Sequence, residues 1–371
     1  DKRRSKIFNH ELGKFSEEEL IPEEESVILL TAENYIKRVS QTDFRRQNRG
    51  GKGIKGMELH KDDIIDQFIS MSTHDHLLVF TDKGKVYRIK GYNVPEFSRT
   101  SKGIPAINLI SMDKTENIRA LVPYSKDHDS KFLFFVTKQG IIKRTTFDEY
   151  ENINKNGKIA IKLNEDDELA FVRSTDGNAE IIIAGSNGKA VRFLENTVRP
   201  LGRTARGVKG FNVDGGYVIG LATNLEGEYI LTITENGFGK KSALADYRMT
   251  RRGARGVKTV NVTEKSGKLV CMRAVRGDED CMIMTAGGIV IRISLNQVSV
   301  YSRSAQGVKV INVKDDIVSS VAILEPEEDS EVVDISHNEV LDEGAFEETS
   351  DDEDDIIEND EEEVTDSDSK E

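Results

Sequence analysis

Apolar and polar positions along this chain fall into a pattern that recurs six times. The first copy reads LLTAENYIKR (29–38): an apolar run, a polar turn, then a second stretch closing on a cation. Later copies read VFTDKGKVYR (79–88), FVTKQGIIKR (135–144), IAGSNGKAVR (183–192), TITENGFGKK (232–241) and IMTAGGIVIR (283–292). Short apolar runs bounded by turn residues predict strands, so each copy predicts a β-hairpin. The closing cations are Arg38, Arg88, Arg144, Arg192, Lys241 and Arg292, spaced 50, 56, 48, 49 and 51 residues apart. Four residues before each stands Asn34, Gly84, Gly140, Gly188, Gly237 or Gly288. A hairpin turn needs positive φ, which glycine adopts without strain and asparagine tolerates next best.

A second segment follows each hairpin after a loop. It reads GIKGMEL (53–59), GIPAINL (103–109), GKIAIKL (157–163), GVKGFNV (207–213), GVKTVNV (256–262) and GVKVINV (307–313). Its apolar-polar-apolar ending predicts a strand. Six copies of an antiparallel β unit follow, and stacked neighbours bury faces that one such sheet leaves bare. The expected fold is all-β, a propeller-like disc of six small sheets. An aromatic content of 6% with no Trp suits sheets packed by Ile, Val and Leu.

Charge sharpens this outline. The 371 residues carry a net −14, which argues against a polyanionic partner. Residues 325–371, however, hold 24 Asp/Glu and one Lys, a charge of −23. Residues 1–26 carry −3, so residues 27–324 carry +12. The expected organisation is a linker (1–26), a basic β domain (27–324) and an acidic tail (325–371) that is disordered by composition. The chain begins Asp-Lys-Arg-Arg rather than with Met, as a piece of a longer protein would. No apolar run approaches the roughly 18 residues of a membrane span, so no membrane partner is expected. Cys271 and Cys281 are too few for a disulfide framework or a four-thiolate metal site, which suggests a reducing, cytoplasmic setting.

Enzymatic signals are weak. His74 and His76 would share one strand face but lack a third ligand, so no metal is expected. GSNGK (185–189) resembles a phosphate loop only until it is aligned as the fourth hairpin turn. The cations carry more. The six hairpin cations read either as within-blade salt bridges or as a ring of positive charge at one radius, and their register favours the ring. Loops between the two segments add Arg45, Arg46, Arg49 and Lys52; Arg99 and Lys102; Lys155; Arg199, Arg203 and Arg206; Arg248, Arg251, Arg252 and Arg255; and Arg303. Cations on a disc suit the backbone of a bent duplex better than base reading, which needs an element in a groove.

The loop Gln47-Asn48-Arg49-Gly50-Gly51-Lys52-Gly53 is the most specific feature. It resembles the GyrA box, the Q-[RKN]-R-G-G-[RK]-G heptapeptide in the C-terminal domain of the DNA gyrase A chain. STHDHLLVFT, SRTSKGIPAINL, LGRTARGVKG and TENGFGKK are also similar to blade sequences of that family, and the resemblance spans residues 1 to about 324. It implies a six-bladed β-pinwheel with strands exchanged between blades. It implies duplex DNA wrapped around the rim, a segment presented for strand passage, and negative supercoiling of bacterial DNA near the nucleoid. The box would lie between the first and last blades. Partners would be the catalytic core of the same polypeptide and gyrase B in an A2B2 enzyme. The catalytic tyrosine, ATP and Mg2+ would belong to other parts of that enzyme, leaving no cofactor in this chain. Within the class, the corresponding C-terminal domain of topoisomerase IV is the alternative, with fewer blades and a degenerate box. A protein-interaction propeller is the alternative from another class.

Overall fold

The computed structural model describes residues 20–40, 54–55, 65–98, 101–125, 130–314 and 316–324. The chain divides into two units, Asp1–Glu327 and Glu328–Glu371, and all described residues belong to the first. The heptapeptide Gln47–Gly53 and its neighbours Arg45 and Arg46, Arg99, and the acidic tail lie outside the described residues.

Each repeat supplies four strands. Repeat one gives β1 (Glu25–Thr31), β2 (Tyr35–Ser40), β3 (Ile54–Lys55) and β4 (Ile65–Ser72). Repeat two gives β5 (His76–Thr81), β6 (Lys85–Lys90), β7 (Ile104–Pro105) and β8 (Ile118–Tyr124). Repeat three gives β9 (Phe132–Thr137), β10 (Ile141–Thr146), β11 (Lys158–Ile159) and β12 (Leu169–Thr175). Repeat four gives β13 (Glu180–Gly185), β14 (Lys189–Leu194), β15 (Val208–Lys209) and β16 (Val218–Thr223). Repeat five gives β17 (Tyr229–Thr234), β18 (Phe238–Ala243), β19 (Val257–Lys258) and β20 (Leu269–Val275). Repeat six gives β21 (Asp280–Thr285), β22 (Ile289–Ser294), β23 (Val308–Lys309) and β24 (Val318–Leu324).

Hairpin turns form where the sequence places them. Asn34, Gly84, Gly140, Gly188, Gly237 and Gly288 all have positive φ, between 63° and 82°. The repeats are not self-contained sheets, however. The sheets run β4-β1-β2-β7, β8-β5-β6-β11, β12-β9-β10-β15, β16-β13-β14-β19, β20-β17-β18-β23 and β24-β21-β22-β3. The outermost strand of each blade therefore comes from the next repeat, and β3 of the first repeat completes the sixth blade. Only two residues of each second segment pair as a strand, fewer than its alternation predicts. The rest folds back onto the neighbouring turn: the amides of Gly210 and Phe211, for example, both donate to the Gly140 carbonyl.

Inner strands close the ring. β4, β8, β12, β16, β20 and β24 each touch the next, and β24 touches β4. Every inner strand carries a register shift near its start, which bends it at the same level in each blade. Six apolar clusters fill the wedges, one between each pair of neighbouring blades. Both faces of a blade are thus buried, which explains why β5 is buried at every position instead of alternating. The fold is a six-bladed antiparallel β-propeller.

Candidate nucleic-acid interface

The short outer strands and the loops leading into them form the rim of the blades. Glycine sets the entry. Gly207 has φ +105°, and a Cβ there would sit 2.3 Å from the Ile142 carbonyl oxygen, so only glycine lets the loop approach the preceding blade so closely. Just before it, the chain makes a tight turn: the Ala205 amide donates to Gly202 O at 3.0 Å. The same turn recurs at Ser302–Ala305 and Arg251–Ala254.

Buried lysines post three of these loops in place. Lys37, Lys143 and Lys240 are fully buried, each one residue before a hairpin cation. Lys37 Nζ donates to Ser98 O and Ser101 O at 3.1 and 2.8 Å. Lys143 Nζ donates to Ala160 O and, at 2.6 Å, to Arg203 O. Lys240 Nζ donates to Ser302 O at 2.7 Å and to Arg303 O. Burial, aided by the charge of Arg203, pushes Lys143 down to about 7. Burial and Arg303 push Lys240 down to about 8. Tyr87, Val191 and Ile291 hold the equivalent place in the other three blades, so the posts alternate around the ring.

Each turn presents an arginine at its second corner. Arg203, Arg252 and Arg303 each lay Nη1 on a carbonyl of the adjoining outer strand: Ile159 O, Lys209 O (3.3 Å) and Lys258 O. Around them Arg199, Arg206, Arg248, Arg251 and Arg255 are exposed, as is Lys155. Lys102 is half-buried, with its ammonium 3.6 Å from the centroid of the Tyr35 ring. Sequence reasoning misses Lys158, Lys209, Lys258 and Lys309, all exposed on the outer strands. For the last three the signal is the lysine of the repeated Gly-Val-Lys, which strand alternation alone does not single out.

The hairpin cations have a different setting. Arg292 is almost wholly buried and pairs with Asp280 at 2.7 Å. Arg192 spends its guanidinium on Glu180 at 2.6 Å and on Leu244 O and Tyr247 O, both at 2.8 Å. Arg144 reaches Glu195 at 3.2 Å and Gly177 O at 3.1 Å. Burial holds the Glu195 carboxyl above its usual range. Lys241 is buried over the Tyr229 ring, near Gly277 O. Arg38 pairs with Glu96 at 3.1 Å, and Arg88 donates to Glu151 O and meets His76 at 3.0 Å. Arg144, Lys241 and Arg292 are buried, and Arg38, Arg88 and Arg192 half-buried, each engaged with protein groups. The salt-bridge reading describes Arg192 and Arg292 within their hairpins, while Arg38 and Arg144 bridge neighbouring blades.

The two histidines do not share a strand face. His74 lies in the turn after β4, its Nε2 2.8 Å from Ile21 O, and His76 opens β5. No group of metal-binding side chains occurs among the described residues. Cys271 and Cys281 are both buried free thiols.

Comparison with known proteins matches this architecture blade by blade. The family described as DNA gyrase C-terminal domain, beta-propeller, fits residues 25–69, 75–123, 131–176, 179–224, 228–276 and 279–325. The chain belongs to that family. It is 46% identical over 336 residues to the DNA gyrase A chain of Staphylococcus epidermidis, covering 89% of this chain and 38% of that protein. The DNA gyrase A chain of Staphylococcus aureus is likewise 46% identical, over 340 residues. The chain thus spans about two-fifths of the length of the curated relatives it matches. A solved DNA gyrase A C-terminal domain superposes with a TM-score of 0.73 at 27% identity, covering 81% of this chain and all of that one. The C-terminal domain of a DNA topoisomerase IV shares the fold, with a TM-score of 0.62 at 24% identity over 82% of this chain and 94% of that one. Membership of the gyrase family gives the six hairpins their context as six equivalent blades. Residues 41–53, which include the heptapeptide Gln47–Gly53, link β2 of the first blade to β3 of the sixth, the connection that joins the two ends of the repeat series.

Proposed function

We propose that this chain binds and wraps duplex DNA around its rim, as the C-terminal part of a DNA gyrase A chain. In that enzyme it would present a segment of the wrapped DNA for strand passage and so favour negative supercoiling. The proposed partners are the catalytic core of the same polypeptide and gyrase B, with ATP and Mg2+ used by those parts in the bacterial cytoplasm. One observation carries the reading. Residues 199–213, 248–262 and 299–313 together hold eleven Lys/Arg and no Asp/Glu. All three segments occupy the same rim position in consecutive blades. Turning DNA by about 180° over roughly 40 base pairs costs on the order of 10 kcal/mol. Ten phosphate contacts of about 1 kcal/mol each offset it.

The proposed contacts are the loop and outer-strand cations: Lys102, Arg203, Arg206, Arg251, Arg252, Arg255 and Arg303, joined by Lys209, Lys258 and Lys309. Arg38, Arg88, Arg144, Arg192, Lys241 and Arg292 support the rim from inside instead. The box, with Arg45 and Arg46 before it, completes the track where the first blade meets the sixth. The −23 tail competes with DNA phosphates for the same cations.

Filter binding against salt tests this reading. Log K should fall with log salt at a slope of about −9, and nicked circles religated on the chain should carry a wrap. A salt-insensitive affinity would exclude rim binding. Truncation after Leu324 should strengthen binding at low salt, and an unchanged affinity would remove the tail from the mechanism.

A further inference from the structure

The inner strands do more than close the ring. All six line an axial cavity of about 750 Å³. Two arginines reach it from equivalent strand positions. Arg173 stands opposite Phe134 and Arg273 opposite Leu231, and those partners stand opposite Arg144 and Lys241 in their own hairpins. The blade between them carries only Ala222 at that position, opposite Ile182.

Their partners do not balance them. Arg173 is held by Glu226 at 3.2 Å. Arg273 has no carboxylate partner among the described residues, and its Nη1 is buried without a hydrogen bond. Both guanidinium-bearing residues line the same cavity, and burial first, the Arg273 charge second, push Arg173 down to about 10. Arg119 Nε, in the same cavity, is also buried without a partner. The lining carries six Lys/Arg against three Glu, and of the six, Arg119 and Lys138 pair with Glu168 and Arg276 with Asp278 and Glu279, which leaves the Arg173–Arg273 pair the least balanced. Like charges held in a partly enclosed space repel, and a buried N–H left unpaired is unfavourable.

We propose that this axial cavity is an anion site, in which Arg273 and Arg173 together take a small oxyanion of the phosphate class. A tetrahedral oxyanion offers acceptors to two planar guanidinium forks at once and neutralises their repulsion. The cavity is too small for a duplex, so the site is separate from the rim and does not depend on the rim reading.

Calorimetric titration of the full chain with inorganic phosphate, at ionic strength matched with chloride, tests the proposal. The wild-type chain should bind saturably, and Arg273→Gln should weaken binding at least about tenfold. The rim substitution Arg203→Ala should leave the affinity unchanged. Arg273→Gln should also melt no lower than wild type in chloride, because it removes an unpaired charge. Should that variant fail to fold, Arg173→Gln serves in its place. Crystals of the wild-type chain soaked in selenate give an independent reading, with density expected between the two guanidinium groups. Absence of saturable binding, equal affinity in Arg273→Gln, loss of binding in Arg203→Ala instead, or an empty cavity in selenate would each overturn the proposal.

Discussion

Replacing Lys143 by methionine separates a buried post from an ordinary surface charge. The ammonium sits fully buried between Ala160 O and Arg203 O, so its neutral form can serve both carbonyls with its two N–H groups. Its pKa falls from 10.5 to about 7 on folding, through burial first and the Arg203 charge second. Between those values the unfolded chain binds the proton more tightly than the folded one. The stability of the wild-type protein therefore rises with pH across that window, and the charging penalty is fully present below about pH 7. For this single group the rise from about pH 7 to about pH 9 amounts to about 2 kcal/mol. Methionine keeps the volume and has no proton to lose. Lys240 contributes its own smaller rise in both proteins, so the difference between them isolates Lys143. Guanidinium denaturation of the two proteins at closely spaced pH values measures it. Wild type should gain about 2 kcal/mol over Lys143→Met between about pH 7 and 9. Parallel curves would mean that Lys143 is charged and satisfied in the folded protein, and the post would then be an ordinary ion.

Three further outcomes follow from the same geometry. Arg292→Met removes the guanidinium that pairs with the buried Asp280 carboxylate and should cost about 3–5 kcal/mol by denaturation, with DNA affinity of the folded fraction unchanged. Gly207→Ala forces a Cβ against Ile142 O at positive φ and should cost about 1–3 kcal/mol or more, read as a lower denaturation midpoint at unchanged slope. Replacing Arg251, Arg252 and Arg255 together by Ala should leave stability nearly unchanged and reduce the salt slope of DNA binding by about 3. A full slope after that triple change would show that these exposed arginines touch no phosphate.

Local chemistry already decided the hairpins. A turn of this tightness admits few residues, so Asn34 and five glycines mark it in the sequence, and the six-fold spacing of about 50 residues reveals the wheel. The loop arginines were legible for the same reason, since Arg203, Arg252 and Arg303 sit at one offset from a required glycine. Three things depended on contacts between residues far apart in the chain. The family resemblance implied exchange of strands between blades, but which strand goes where was decided by the fold, since two paired residues carry too little pattern to name their partner. Of the hairpin cations, identical in register, Arg144 meets Glu195 of the next blade only after folding, while Arg192 and Arg292 pair with Glu180 and Asp280 inside their own hairpins. Lys143 and Arg273 look alike as single basic residues. One is a post between two carbonyls and the other lines a cavity with no carboxylate partner among the described residues, because burial and partners, rather than residue type, set what a charge does.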